Sequence, residues 1–493
     1  MGERIKNHIN LILSIFLLCQ PFIDVLTGIC IHTLKINLTI GILIRILFLF
    51  FICSVCFFLY KKKQLAIPYL LILGYCLFYV LGIFLYKGGN NFFTEIQGLI
   101  KVFYFPLLLL SLYSIKEEIR ISNLVYLTTL FLYLIFIFVP TICGIGYKTY
   151  EITKEGTLGF FNSANEISGI ISILTPYFFI ILVTTKKIIP KIGFILMYLV
   201  VILMMGTKTP LIILFLTLGF SLAYYWIFLL KQKQYKKVSI SLGILIVGVT
   251  SILLILPKTN FYKNIETHLE FLEVDSVFEI FQKEELIDHF FFSQRLTFLK
   301  NKSAIYNQSN LYQKLFGIGY INNNETTKLI EMDYFEIFYS HGIIGFLIFF
   351  LILTMVLGKI VKKEELTYET YMKKLSIAWI LFLSFFTGHI LISPSVSFLS
   401  VLLILSLYKR DQISLLGNYK KEINHCLKIS TDEIEELKRK DKYLFFKIMN
   451  FHNYDKCIIY NNKEKFVKEI GDILSRNVIM IKKEKDLLKK IEE

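Results

Sequence analysis

Residues 331–349, EMDYFEIFYSHGIIGFLIF, pass from carboxylates to an unbroken apolar run within about two helical turns. Glu331 and Asp333 close a long polar segment, and a helix starting there sets Asp333 and Glu336 on nearly one face. An apolar helix that opens on carboxylates puts them where water meets lipid. The polar segment before it, 257–333, is the one long hydrophilic excursion between apolar stretches. Chemistry is therefore expected at this junction.

The rest of the chain supports a membrane setting. Of its 493 residues, 55% are hydrophobic and only 19% charged. Soluble domains are nearer a quarter charged and lack repeated apolar runs of about 20 residues. Hydropathy windows place about twelve spans, near residues 8–29, 39–60, 66–86, 92–113, 121–141, 166–184, 192–206, 210–230, 238–256, 334–358, 374–393 and 395–408. The expected fold is an all-α polytopic membrane domain over 1–408, with an extracytoplasmic loop at 257–333.

Charge sets the orientation. With the N-terminus inside, alternate connections are basic: Lys61-Lys62-Lys63, Lys116 with Arg120, Lys186-Lys187 with Lys191, Lys231 to Lys237, Lys359 to Lys363, and Lys409-Arg410. The other connections carry few cations, as the positive-inside rule requires. Both termini are then cytoplasmic. The net charge of +16 is read as topology and headgroup contact, and nucleic acid is excluded as a partner, since no basic stretch is interleaved with aromatics. Cys53 and Cys56 have CxxC spacing inside an apolar run, so they read as small hydrophobes, and no metal site or cofactor is expected.

A charge inside a span costs roughly 2.5–3.5 kcal/mol, so each needs a reason. Asp24, Arg45, Glu95 and Lys101 sit within spans, and Glu166 and Lys208 at span ends. At about 1.5 Å per residue, all fall in the outer half of the membrane or at its edge. Structural ion pairs have no reason to favour one leaflet, so a polar cavity opening outward is expected. With Arg45, Lys101, Lys208 and Arg295 near it, a phosphorylated ligand fits. Asn162, Asn165 and Glu166 in FFNSANEISG either line that cavity or cap a helix, and Gly317 and Gly319 in LFGIGY read as a turn. His341 and His389 lie near the outer face.

These elements together resemble the O-antigen ligase and Wzy-type polymerase superfamily, which handles polyprenyl-linked sugars on the outer face of bacterial membranes. In the ligases a loop-ending His-Asn pair precedes a helix-opening G-x-x-G by nine residues. Gly342-Ile-Ile-Gly345 fits the latter, with Glu331-Met332 where His-Asn would stand. MMGTKTPLI is similar to the family's Ser-Arg element with Lys208 for arginine, and FFNSANE, LFGIGY and TGHILISPS look like its divergent branch. The resemblance covers about 1–408.

It implies an enzyme of the bacterial cytoplasmic membrane acting on a polyprenyl-diphosphate-linked oligosaccharide, without cofactor. Glu331, or Asp333, would take the acceptor proton, with Arg295 as a third catalytic residue. Arg45, Lys101, Lys208, Glu95, Asn165, Glu166 and His389 would bind diphosphate or glycan. Polymerase is the first expectation, since His-Asn is absent. Ligase-like transfer to another acceptor and a lipid-linked oligosaccharide flippase remain alternatives.

Residues 409–493 change character. They are polar, with a capping box at Ser430-x-x-Glu433, then CIIY (457–460), a helical stretch at 463–475 and VIMI (478–481). A small cytosolic tail is expected, α/β or helical, that could meet other polysaccharide-assembly proteins.

Overall fold

A computed structural model describes residues 2–36, 40–87, 92–149, 156–184, 188–274, 276–322, 325–326, 328–360 and 367–408, and the strand segments 426–430, 456–460 and 478–481. The chain divides into two compact units, Met1–Tyr408 and Lys409–Glu493.

The first unit is almost wholly helical. Its apolar helices are α1 (Gly2–His32), α2 (Ile40–Ser54), α3 (Ala66–Lys87), α4 (Phe92–Ser114), α5 (Asn123–Ile142), α6 (Ala164–Thr184), α7 (Ile188–Met205), α8 (Lys208–Lys231) and α9 (Tyr235–Ile255). The polar segment forms α10 (Asn260–Phe271), α11 (Val277–Ile280), α12 (Glu284–Ile287), α13 (Arg295–Gln308) and α14 (Leu311–Phe316). A two-residue hairpin, β1 (Ile321–Asn322) with β2 (Glu325–Thr326), follows. The unit ends with α15 (Asp333–Ile360), α16 (Tyr368–Phe386) and α17 (Pro394–Leu405).

Each expected span coincides with a helix, but among the described residues nine are long and apolar enough to cross a membrane: α1 to α6, α8, α9 and α15. Helices α7 and α17 are short, and α16 carries Glu369, Lys373 and Lys374 in its first two turns.

Packing inverts the soluble pattern. Helix α2 turns Gly41, Arg45, Leu49 and Ile52 inward and leaves Leu43, Leu47 and Phe50 exposed. Lipid solvates such apolar faces as well as a core does, so association rests on close packing and hydrogen bonds. Helix α17, PSVSFLSVLLIL, is buried at all twelve residues, and its serines permit close approach. Helices α4 and α6 are the next most enclosed.

Helix α15 breaks at Gly342 (φ 67°, ψ −174°), within the G-x-x-G element. A break in lipid strands carbonyls that must find donors. The LFGIGY turn supplies them: Ile318 N–H donates to Tyr339 O at 3.0 Å and Gly319 N–H to Ser340 O at 3.1 Å. Tyr75 donates its hydroxyl to His341 O at 2.8 Å. Both contacting glycines are obligatory, since a Cβ on Gly342 would stand 2.5 Å from Gly317 N, and one on Gly317 2.0 Å from Ser340 O. The glycine pair is a docking joint between the polar segment and α15.

In the second unit β3 (Cys426–Ser430), β4 (Lys456–Tyr460) and β5 (Val478–Ile481) form a parallel sheet in that order. CIIY and VIMI are thus strands. Glu433 of the capping box and the helical stretch at 463–475 lie outside the described residues.

Candidate active site

A polar cavity of about 380 Å³ opens between α1, α2, α4, α6 and α17. Asp24, Arg45, Lys101, Glu166, His389 and Ser395 reach it from those helices and from the turn joining α16 to α17. Four expected ligand-binding residues, Arg45, Lys101, Glu166 and His389, are therefore brought together.

Arg45 is already engaged. Its Nη2 donates to Asp24 Oδ1 at 2.6 Å and its Nε to Gln20 Oε1 at 2.7 Å, while Tyr133 donates to the second oxygen of Asp24 at 2.7 Å. Lys101 is different: among the described residues its ammonium has no hydrogen-bond or ion-pair partner. A half-buried cation facing a polar cavity is free to take an anion from it. On the opposite wall, Ser395 Oγ donates to Glu166 Oε2 at 2.8 Å.

Behind His389 stands a second cluster. Glu331 Oε2 accepts from Arg295 Nη2 at 2.9 Å and from Asn165 Nδ2 at 3.1 Å, and its Oε1 lies 3.8 Å from His389 Nε2. Burial pushes the Glu331 carboxyl up, but His389 and Arg295 outweigh it and hold it at about 2. The same pairing works in reverse on His389. Burial lowers its imidazole, yet Glu331, then Glu166 and Asp333, outweigh burial and leave it above the ordinary 6.5. Arg295 Nε is buried without a hydrogen-bond partner among the described residues.

The backbone here is strained. Glu331 (φ 57°), Gly388 (φ 63°) and His389 (φ 57°) are all left-handed, a conformation non-glycine residues adopt only when their surroundings impose it. Asp333, fully buried, is what imposes it on the turn: Oδ1 accepts His389 N–H at 2.7 Å, and Oδ2 accepts Ile390 N–H at 3.0 Å and Leu391 N–H at 2.7 Å.

Three expected site residues are committed elsewhere. Asp333, expected as an alternative base, braces the 389–391 backbone. Lys208, expected on the diphosphate, donates to Phe290 O at 2.6 Å with its ammonium 3.6 Å from the Phe290 ring centroid, beneath the π-turn 288–292. Glu95, expected at the substrate, pairs with Lys87, accepts Tyr79 Oη at 2.6 Å and accepts the backbone N–H groups of Tyr320 and Ile321. Neither Lys208 nor Glu95 lines the cavity.

Sequence reasoning missed Lys302, buried on α13 and bonded to Glu336 at 2.5 Å and Ser340 at 2.6 Å. Nothing in RLTFLKNKSAIY marks it. Gln20 and Tyr133 were also missed, although Asp24 and Arg45 at similar depth already implied shared partners.

Chemically, the cavity offers the Lys101 ammonium for an anion, hydroxyl and amide groups for sugar hydroxyls, and an imidazole–carboxylate pair at its edge. A family model described as O-antigen ligase like membrane protein matches residues 6–283 and 275–409. No curated protein and no solved structure matches the chain.

Proposed function

The chain belongs to the O-antigen ligase-like membrane protein family, and on that premise we propose that it is a bacterial cell-surface polysaccharide polymerase. It transfers polyprenyl-diphosphate-linked oligosaccharide units at the outer face of the cytoplasmic membrane. The Lys101 ammonium, unpaired among the described residues and facing a polar cavity, is the observation that carries the reading.

In this reading the diphosphate lies against Lys101, with Arg45 fixed beside it by Asp24. Preorganised cations offset the charge that develops on the departing diphosphate, the main electrostatic demand of the step. The acceptor sugar approaches from the Glu166–Ser395 wall, and its hydroxyl is activated at the edge built by Glu331, Arg295, Asn165 and His389. About twelve crossings with both termini cytoplasmic, and the 257–333 loop outside, follow from the alternating basic connections. The tail 409–493 is then cytosolic. Polymerase is preferred over ligase because Glu331-Met332 stands in place of His-Asn.

The test uses protein purified into lipid with a polyprenyl-diphosphate oligosaccharide pool from the same cell. A glycan ladder made by wild type and lost in a folded Arg295→Ala protein supports the reading. Transfer to a different acceptor without a ladder would make the protein a ligase.

A further inference from the structure

We propose that His389 is the general base of the transfer, that Glu331 is its charge partner, and that Asp333 is the positioning residue that holds it in place. The inference rests on the glycosyl-transfer reading above and names the group that receives the proton.

Of the three, only His389 lines the cavity. Glu331 lies behind it, with Oε2 shared between Arg295 and Asn165 and Oε1 turned to the imidazole. Asp333 spends both oxygens on three successive backbone N–H groups. That leaves the imidazole, whose Nε2 faces Glu331 and whose Nδ1 has no hydrogen-bond partner among the described residues. The local backbone is shaped around this pose. A Cβ at Gly388 would stand 2.3 Å from the Glu331 carbonyl oxygen, so glycine alone lets the turn press against Glu331. Left-handed conformations at Glu331 and His389 on either side of that contact mark a geometry held against local preference.

The step balances. The acceptor O–H bond breaks toward His389 Nδ1 as the acceptor oxygen bonds to the anomeric carbon. The bond from that carbon to the diphosphate oxygen breaks, and its electron pair leaves with the diphosphate. The imidazolium, paired with Glu331, then returns its proton to water. Glu331 is the poorer acceptor, because a carboxyl held near 2 has little affinity for a proton.

The charged groups facing the imidazole are Glu331 from the segment before α15, Asp333 from α15 and Glu166 from α6, with Arg295 of α13 beyond Glu331 and Lys101 of α4 across the cavity. The acids dominate. Activity should therefore fall on acidification through a value above 6.5, as the base becomes protonated.

The experiment measures ladder formation against pH for reconstituted protein, with the same lipid-linked oligosaccharide pool as substrate. His389→Gln should lose on the order of 100-fold or more in turnover while still retaining the lipid-linked oligosaccharide. Glu331→Gln should move the acid limb to lower pH, because the partner that raises the imidazole is gone. Asp333→Asn should lower kcat and move that limb to lower pH by less than Glu331→Gln does, since Asp333 is the weaker of the acids raising the imidazole. Wild-type turnover in His389→Gln, or an acid limb unmoved in Glu331→Gln, overturns the assignment while leaving the polymerase reading intact. If His389→Gln does not fold, the Glu331→Gln limb decides alone. A wild-type protein that makes no polymer removes the polymerase reading and the base with it.

Discussion

The Glu95 carboxylate, in the first turn of α4, accepts the backbone N–H of Tyr320 at 3.0 Å across 225 residues of chain. It also takes Ile321 N–H at 3.1 Å and Tyr79 Oη at 2.6 Å. This buried acid is thus the anchor of the LFGIGY turn, and Tyr320, lining the cavity, is held against Gly98 by it.

Removing that anchor should loosen the turn. Each buried N–H left without an acceptor costs about 1–3 kcal/mol. Glu95→Ala is expected to lower the melting temperature in detergent and expose residues 317–322 to protease. Equal protection in variant and wild type would contradict the anchor.

The joint between Gly317 and Gly342 gives a second prediction. Gly317→Ala forces a Cβ to within 2.0 Å of Ser340 O at φ 103° and should destabilise the protein by several degrees or more. Gly74→Ala, on α3 with nothing within 4 Å of the added Cβ, should be neutral or stabilising by up to about 1 kcal/mol. Thermal melts of the two variants side by side decide it.

The buried pair Lys302–Glu336 should show the asymmetry of desolvated charges. Lys302→Met alone leaves Glu336 uncompensated and is expected to cost about 3–5 kcal/mol. Lys302→Met with Glu336→Gln removes both charges while keeping an acceptor for Ile330 N–H, and should recover most of the loss. A double variant as unstable as the single one would argue that the pair's worth lies elsewhere.

Arg45 and Lys101 should separate in the same way. Arg45→Met strands Asp24 in a buried setting and should destabilise by about 3–5 kcal/mol, since among the described residues only Tyr133 remains bonded to that carboxylate. Lys101→Met removes a cation with no partner among the described residues and should leave the melting temperature near wild type. The comparison distinguishes a structural cation from one reserved for a ligand.

What was legible in the sequence follows from range. Apolar runs report their own helices, so every expected span meets one, and depth along α1, α2 and α4 was enough to foresee that Asp24, Arg45 and Lys101 share a cavity. Glu331 was legible as lying at the junction of polar segment and membrane, but its approach to Arg295 depends on how the polar segment folds and was not. The contacts of Glu95 and Lys208 were not legible because their partners, the N–H groups of Tyr320 and Ile321 and the carbonyl of Phe290, are backbone groups on a distant segment. Backbone groups carry no residue signature, and their position depends on how 257–333 folds. The bracing contacts of Asp333 were hidden for the same reason: its three donors are main-chain N–H groups of the 389–391 turn.

The most direct test of the account is ladder formation by purified protein in liposomes supplied only with lipid-linked oligosaccharide, wild type against Lys101→Met. The account predicts a ladder from wild type and none from a folded Lys101→Met protein. No ladder from wild type, with lipid-linked glycan instead moving between leaflets, would contradict it and make the protein a transporter.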